Sequence, residues 1–193
     1  MAAAAQDFMA RHGVPDLVIA NAGISSGTSG EELGDASKLR RVLEVNVTGL
    51  AITLAAFAPA MRKAGRGILA GIASVASFRG LAGNGAYSAS KAAARTWMES
   101  LRTELRGSGV AVVCICPGYI DTPLTRVNRF RMPFLLTADE AARRIARAIA
   151  RKPRVAVIPW QMALVSVMLR NMPDWLYDRL AAGAPRKPRD VSL

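Results

Sequence analysis

The sequence predicts an α/β fold organised around a doubly wound parallel sheet, on three observations. Four short segments (residues 17–20, 67–73, 110–116 and 155–158) are apolar almost throughout and do not alternate. Strands of that kind are buried on both faces, as in parallel sheets covered by crossover helices. Longer segments of helical pattern separate them. The expected carboxyl ends of the first three carry Asn21-Ala22-Gly23, Ser74 and Pro117-Gly118. Open sheets of this class bind ligands at that edge.

Each element has its own local signal. Residues 2–12 are Ala-rich with apolar positions at helical spacing, and Gly13 stops the helix. Pro15-Asp16 turns the chain into the strand 17–20. Residues 24–35, rich in Ser, Gly and Glu, read as a loop, and 38–63 as one long helix. The strand 67–73 leads through a Ser- and Gly-containing loop into a strongly patterned helix, 86–106, closed by Gly107-Ser108-Gly109. The strand 110–116 (VAVVCIC) ends at Pro117-Gly118. Residues 119–136 are irregular, with Pro123 and Pro133. Thr137 and Glu140 fit a capping box that opens a helix to Arg151. After the strand 155–158 come two terminal helices, 160–170 and 175–182, and a PRKPRD tail expected to fray. No repeat or linker divides the chain, so 1–193 is expected to form a single domain, with 126–136 as a loop and 160–193 as a helical extension and tail.

Composition narrows the function classes. Two cysteines exclude a disulfide-stapled scaffold, and one histidine excludes a metal site built on several of them. Cys114 and Cys116, two apart on one strand, read as small core residues. No secretory signal opens the chain and no apolar run of about 18 residues occurs, so a cytoplasmic setting without a spanning helix is expected. The net charge of +12 is uneven: residues 1–125 carry +3 and 126–193 carry +9. The basic residues are spread over helices without interleaved aromatics, so no nucleic-acid partner is expected. The apolar, Arg-flanked stretch after Pro159 is expected to pack on the domain or on a partner subunit; an interfacial membrane helix or a lid over a lipophilic substrate is the alternative.

The residues that suggest chemistry are Tyr87 and Lys91, one helical turn apart, with Ser74 thirteen positions before Tyr87. A free phenol, with a pKa of about 10, is a poor acid-base group at neutral pH. A nearby ammonium lowers that value, and a serine hydroxyl can donate to a substrate oxygen. The trio therefore suits proton transfer at an alcohol or carbonyl oxygen. Taken singly, an ordinary helix tyrosine and a solvated helix lysine would read the same way.

They are not single. LVIANAG (17–23), VLEVNVTG (42–49), GIASVASFRGLAGNGAYSASKAA (71–93) and VVCICPGYIDTP (112–123) occur in the order and close to the spacing of the classical short-chain dehydrogenase/reductase family, which the chain resembles over roughly residues 1–160. The resemblance implies a Rossmann-like sheet and an oxidoreductase that uses NAD or NADP, the choice open, to interconvert a secondary alcohol and a ketone. It makes Tyr87 the acid/base, Lys91 the partner of the nicotinamide ribose that depresses the phenol, and Ser74 the group that polarises the carbonyl. It gives Asn46 a water that relays protons to Lys91. It places Asn21, Ala22 and Gly23 beneath the cofactor, Pro117 and Gly118 beside its nicotinamide, and Ile120 and Thr122 at its carboxamide. It also implies a homodimer or homotetramer built on the two long helices. Phe130, Met132, Phe134 and Leu135 suggest an apolar substrate held under a mobile loop.

One departure stands out. The TGxxxGxG phosphate cradle that opens the family's fold is not in the sequence. The expectation is an N-terminally truncated fold lacking its first βαβαβ half, roughly 65–80 residues. A late start or shortened product explains this more simply than a genuine short protein that has become a non-catalytic interaction module. Poor dinucleotide binding by 1–193 alone is expected on either account.

Overall fold

The computed structural model describes residues 1–128 and 130–189. Its core is one sheet of four parallel strands in chain order: β1 (Leu17–Ala20), β2 (Gly67–Ile72), β3 (Val110–Pro117) and β4 (Val155–Ile158). The register pairs Leu17 with Ile68, Ile72 with Ile115 and Pro117 with Ile158.

The two faces of the sheet bury different helices. On one, Val18, Ala20, Leu69, Val112, Cys114 and Cys116 meet Leu50, Leu54, Met61 and Met98. These partners come from α3 (Gly49–Ala55), α4 (Ala58–Ala64) and α5 (Gly85–Glu104). On the other, Ala70, Val113, Ile115 and Ile158 meet Ile145 and Ile149 of α7 (Ala138–Arg151). This is the two-sided cover that continuously apolar strands require. Cys114 and Cys116 are free thiols with sulfurs 3.9 Å apart in the first cluster.

The second face is not covered everywhere. Leu17 and Ile19 point the same way as Ile68 and Ala70, their register partners, yet remain 41% and 43% exposed. β1 is also an edge strand, so one side of its backbone has no strand partner among the described residues. The helix α1 (Ala2–His12) flanks this edge, with Phe8 edge-on to Phe57 at 6.1 Å.

The single helix expected over 38–63 is three α-helices and a π-helical turn. α2 (Asp35–Leu43) runs into π-helical Glu44–Thr48, then α3, and the chain breaks at Ala56-Phe57 before α4. Pro59, without an amide hydrogen, sits in the first turn of α4, where none is needed. By length and overall apolarity alone the joined run Asp35–Ala64 passes for a membrane span, although Glu44, Asn46 and Thr48 interrupt its apolar residues. Its Val42, Leu50, Leu54 and Met61 are buried within this fold. Thr137 caps α7 as expected, its Oγ1 accepting from the Glu140 amide at 3.3 Å. The reciprocal half of the box is replaced by ion pairs of Glu140 with Arg143 and Arg144.

The C-terminal third corrects one expectation, that the tail frays. α8 (Trp160–Asn171) buries Met162 and Ser166 but leaves Trp160, Leu164, Val167 and Met168 exposed. After α9 (Asp174–Ala181), the tail does not fray over residues 185–189. The Pro188 carbonyl accepts from the Gly27 amide at 3.1 Å, and the Arg189 guanidinium pairs with buried Asp35 at 3.0 Å and with Glu32 at 3.2 Å. The amide of Ser29, then Lys38 and Arg189, hold the Asp35 carboxyl down at about 2. A Cβ on Gly27 would lie 2.3 Å from the Lys187 carbonyl oxygen, and one on Gly83 would lie 2.6 Å from the Arg186 Cβ. The two glycines thus leave a slot that the tail fills. The expectations for Arg129 and for 190–193 lie outside the described residues.

Candidate active site

The carboxyl ends of β1, β2 and β3 open into one cavity of about 250 Å³. Asn21, Gly23, Ser74, Tyr87, Lys91, Pro117, Gly118, Ile120 and Thr122 all line it. Ala22 shares the exposed turn of Asn21 and Gly23 but is not among the lining residues, and Asn46 lies buried behind it. A second cavity of about 300 Å³ adjoins the first, and Ser74, Tyr87 and Gly118 line both.

Local structure fixes each side chain. Ser74 follows β2 and caps the short 3-10 turn Val75–Ser77, its Oγ accepting from the Ala76 amide at 3.1 Å. Tyr87 is the third residue of α5, whose first turn is capped from outside: Thr28 Oγ1 accepts from the Ala86 amide at 3.2 Å. No local signal marks this role for Thr28, which sits in a loop 58 residues away. One turn along α5, Lys91 enters the protein and donates to the Ile72 carbonyl at 2.8 Å. Lys91 is 3% exposed, so the reading of a solvated helix lysine does not hold. A Cβ on Gly23 would lie 3.2 Å from Lys91 Nζ, so the glycine leaves room for the ammonium.

The electrostatics differ from the expectation in one respect. Burial pushes the Tyr87 phenol above its ordinary value; the hydrogen bond with Ser74 pulls it down and the nearby Cys116 adds to the rise. The balance for the phenol is upward, with Lys91 not among its main contributors. Lys91 Nζ lies 5.8 Å from the Tyr87 ring centroid, and the ammonium itself is lowered by desolvation to about 8. Below that pH the native state carries a buried charge that the unfolded chain solvates freely. Stability should therefore rise as pH increases from about 8 toward 10.5, by about 3 kcal/mol. Melting curves across that range should show the rise in the wild type and its absence in Lys91→Met; parallel curves for the two proteins would refute it.

Asn46 serves the backbone first. Its Oδ1 accepts from the Ile24 amide at 2.8 Å, and its Nδ2 donates to the Ile24 carbonyl and Ser90 Oγ, both at 2.9 Å. Both amide hydrogens are thereby used, leaving only acceptor capacity for a relay water. These bonds tie the strand-end loop to the π-helical turn and to α5. Asn46→Leu should cost about 2 kcal/mol in denaturant unfolding, because it orphans both Ile24 backbone groups. An unchanged unfolding midpoint would count against this account.

Ile120 and Thr122 belong to the loop after β3. Thr122 caps the four-residue α6 (Pro123–Arg126), and its amide donates to Thr125 Oγ1 at 3.1 Å. Gly118 donates to the Ile158 carbonyl at 2.7 Å, which binds the strand end to β4. Of the apolar loop residues singled out from sequence, Phe130 lines the larger cavity, its ring 6.3 Å from that of Tyr119. Met132 meets Asn128 at 3.6 Å. Phe134 and Leu135 are exposed and are not among the lining residues; the Asp121 amide and Leu136 carbonyl, hydrogen-bonded at 2.8 Å, tether that end of the loop away from it.

The described residues contain no cluster of histidine, cysteine or carboxylate side chains suited to a metal ion. The short chain dehydrogenase family model matches residues 1–132. An uncharacterized oxidoreductase of Myxococcus xanthus is 45% identical over 166 residues, covering 86% of this chain and 65% of that protein. The ketoacyl reductase HetN of Nostoc is 31% identical, covering 86% of this chain and 58% of its own length. The chain thus spans less than two thirds of these relatives. A crystal structure of a short chain dehydrogenase from Burkholderia cenocepacia in complex with NADP superposes with a TM-score of 0.79 at 27% identity, covering 93% of this chain and 74% of that one. With the matched segment running from the first residue through α6, and Ser74, Tyr87 and Lys91 gathered where the strands end, the chain belongs to the short chain dehydrogenase family.

Proposed function

We propose that the chain carries the catalytic portion of an NAD(P)-dependent oxidoreductase that interconverts a secondary alcohol and a ketone. The observation that carries this reading is that Ser74 and Tyr87 stand where the two cavities meet, with Lys91 beneath them in the smaller one. The smaller cavity suits the nicotinamide end of a dinucleotide. Lys91 is a buried ammonium with one hydrogen-bond acceptor among the described residues, so it retains donors for a ribose hydroxyl. Thr122 and Ile120 border the same space, as do Pro117 and Gly118. When bound, the cofactor supplies or accepts the hydride.

In this reading the larger cavity receives the substrate, with Leu81, Leu124, Tyr119 and Phe130 along its walls. Ser74 orients the substrate oxygen and Tyr87 gives it a proton in reduction or removes one in oxidation. The raised phenol value keeps Tyr87 protonated throughout the neutral range, which is the form reduction uses. Loss of reduced nicotinamide absorbance with a panel of ketones, using NADH and NADPH in parallel, tests the proposal. Turnover of one ketone that disappears in Tyr87→Phe supports it, and turnover that survives in that variant overturns it.

A further inference from the structure

The larger cavity holds a buried cation that the proposed proton transfer does not use. Lys187, in the tail, lines it and is 8% exposed. Its Nζ donates to Ser25 Oγ at 2.9 Å and to the Leu124 carbonyl at 3.3 Å. Ser25 passes its own hydrogen toward Asn84 Oδ1 at 3.4 Å, which leaves the serine oxygen free to accept from the lysine. Both acceptors of the ammonium are neutral, and no carboxylate among the described residues pairs with it.

A buried ammonium without a counter-charge is costly. The tail has a counter-charge close by and spends it elsewhere: Arg189, two residues on, takes both Asp35 and Glu32. Among the described residues no aspartate or glutamate lines the cavity, whereas Arg131, exposed, contributes a second cation. The placement of Lys187 is also fixed by backbone, because its neighbours are held by the Gly27 amide and by Lys38 Nζ, which donates to the Arg189 carbonyl at 2.8 Å. The slot between Gly27 and Gly83 would close if either carried a side chain.

We infer that this cavity selects carbonyl compounds bearing a carboxylate, which the remaining N–H of Lys187, an ammonium anchored on Ser25 and the Leu124 carbonyl, holds while Ser74 and Tyr87 face the carbonyl oxygen. The inference rests on the reading of that cavity as the substrate site. Its volume of about 300 Å³ is at the small end of ligand pockets and fits a short aliphatic oxo acid. The carboxylate supplies the charge the protein withholds, and the apolar walls take the intervening methylenes.

Calorimetric titration of the chain with 4-oxopentanoate, 5-oxohexanoate and 6-oxoheptanoate, each beside its methyl ester, tests it. The ester keeps the carbonyl and the chain length but removes the charge. At least one acid should bind about tenfold or more tightly than its ester. That preference should fall to near parity in Lys187→Met and persist in Lys187→Arg. Melting curves of both variants establish that they fold. Equal binding of acid and ester by the wild type, a preference that survives in Lys187→Met, or no binding of any acid would each overturn the inference. Activity is scored separately, at NADH or NADPH concentrations that titration shows to saturate the chain: acids that bind through Lys187 but are not reduced there would refute the catalytic reading and leave the carboxylate site standing.

Discussion

Tyr87→Phe should lower kcat/KM for ketone reduction by about 10² to 10⁴ while leaving the fold and cofactor affinity close to wild type. The change removes one oxygen and keeps the ring in place at the start of α5. Lys91 remains hydrogen-bonded to the Ile72 carbonyl, and Ser74 keeps its bond from the Ala76 amide, so neither neighbour loses its anchor. What disappears is, among the described residues, the only hydroxyl that borders both cavities besides Ser74 and Thr125. Ser74 cannot substitute, because a serine hydroxyl is a far weaker proton donor than a phenol. Steady-state rates with saturating reduced cofactor measure the effect, and a variant that retains more than about a tenth of wild-type kcat/KM would remove Tyr87 from the chemistry.

Gly109→Ala should be the most damaging small substitution for stability. Gly109 has φ +79°, and a Cβ there would lie 1.9 Å from the Gly65 carbonyl oxygen and 2.6 Å from its carbonyl carbon. Gly65 ends α4 in the left-handed conformation, so the turns leading into β2 and β3 press backbone against backbone. No rotamer change relieves such a contact. The cost should be about 3 kcal/mol or more, a fall of roughly 6–12 °C in Tm for a chain of this size. Gly107→Ala is the matched control: φ is +78° but nothing lies within 4 Å of its Cβ, so only the conformational cost, about 1 kcal/mol, remains. Similar losses in the two variants would show that the Gly65 contact relaxes easily. The affected turns are at the amino ends of the strands, opposite the site, so kcat per folded molecule should not change.

Much of this architecture can be read from sequence because the strands are continuously apolar. LVIA and VAVVCIC need cover on both faces, and parallel pairing provides it. Sequence spacing put Tyr87 and Lys91 on one side of a helix; it did not give the depth of Lys91, which depends on the missing side chain at Gly23 and on the Ile72 carbonyl. Depth also reversed the expected direction for the phenol. The interruption of the long helix was half legible, since Pro59 marks the start of α4, but the π-helical turn arises where Asn46 reaches across to Ile24 and Ser90. The tail was misread because its partners, Ser25 and Asp35, are 162 and 154 residues away. Composition alone makes PRKPRD look like a solvated end. Phe134 and Leu135 show the converse error, since apolar character does not by itself bring a loop residue to a cavity wall.

The strand order repeats the order in which a ribosome delivers the chain. β1 waits for β2, β2 for β3 and β3 for β4, so each pairing partner is the next strand to emerge and none must be held open for a later arrival. The segment that carries Lys187 is synthesised after all four strands. A nascent chain can therefore assemble its Ser74–Tyr87–Lys91 constellation while still tethered, yet its substrate chamber is finished only when that strap has threaded past Gly27 and Gly83.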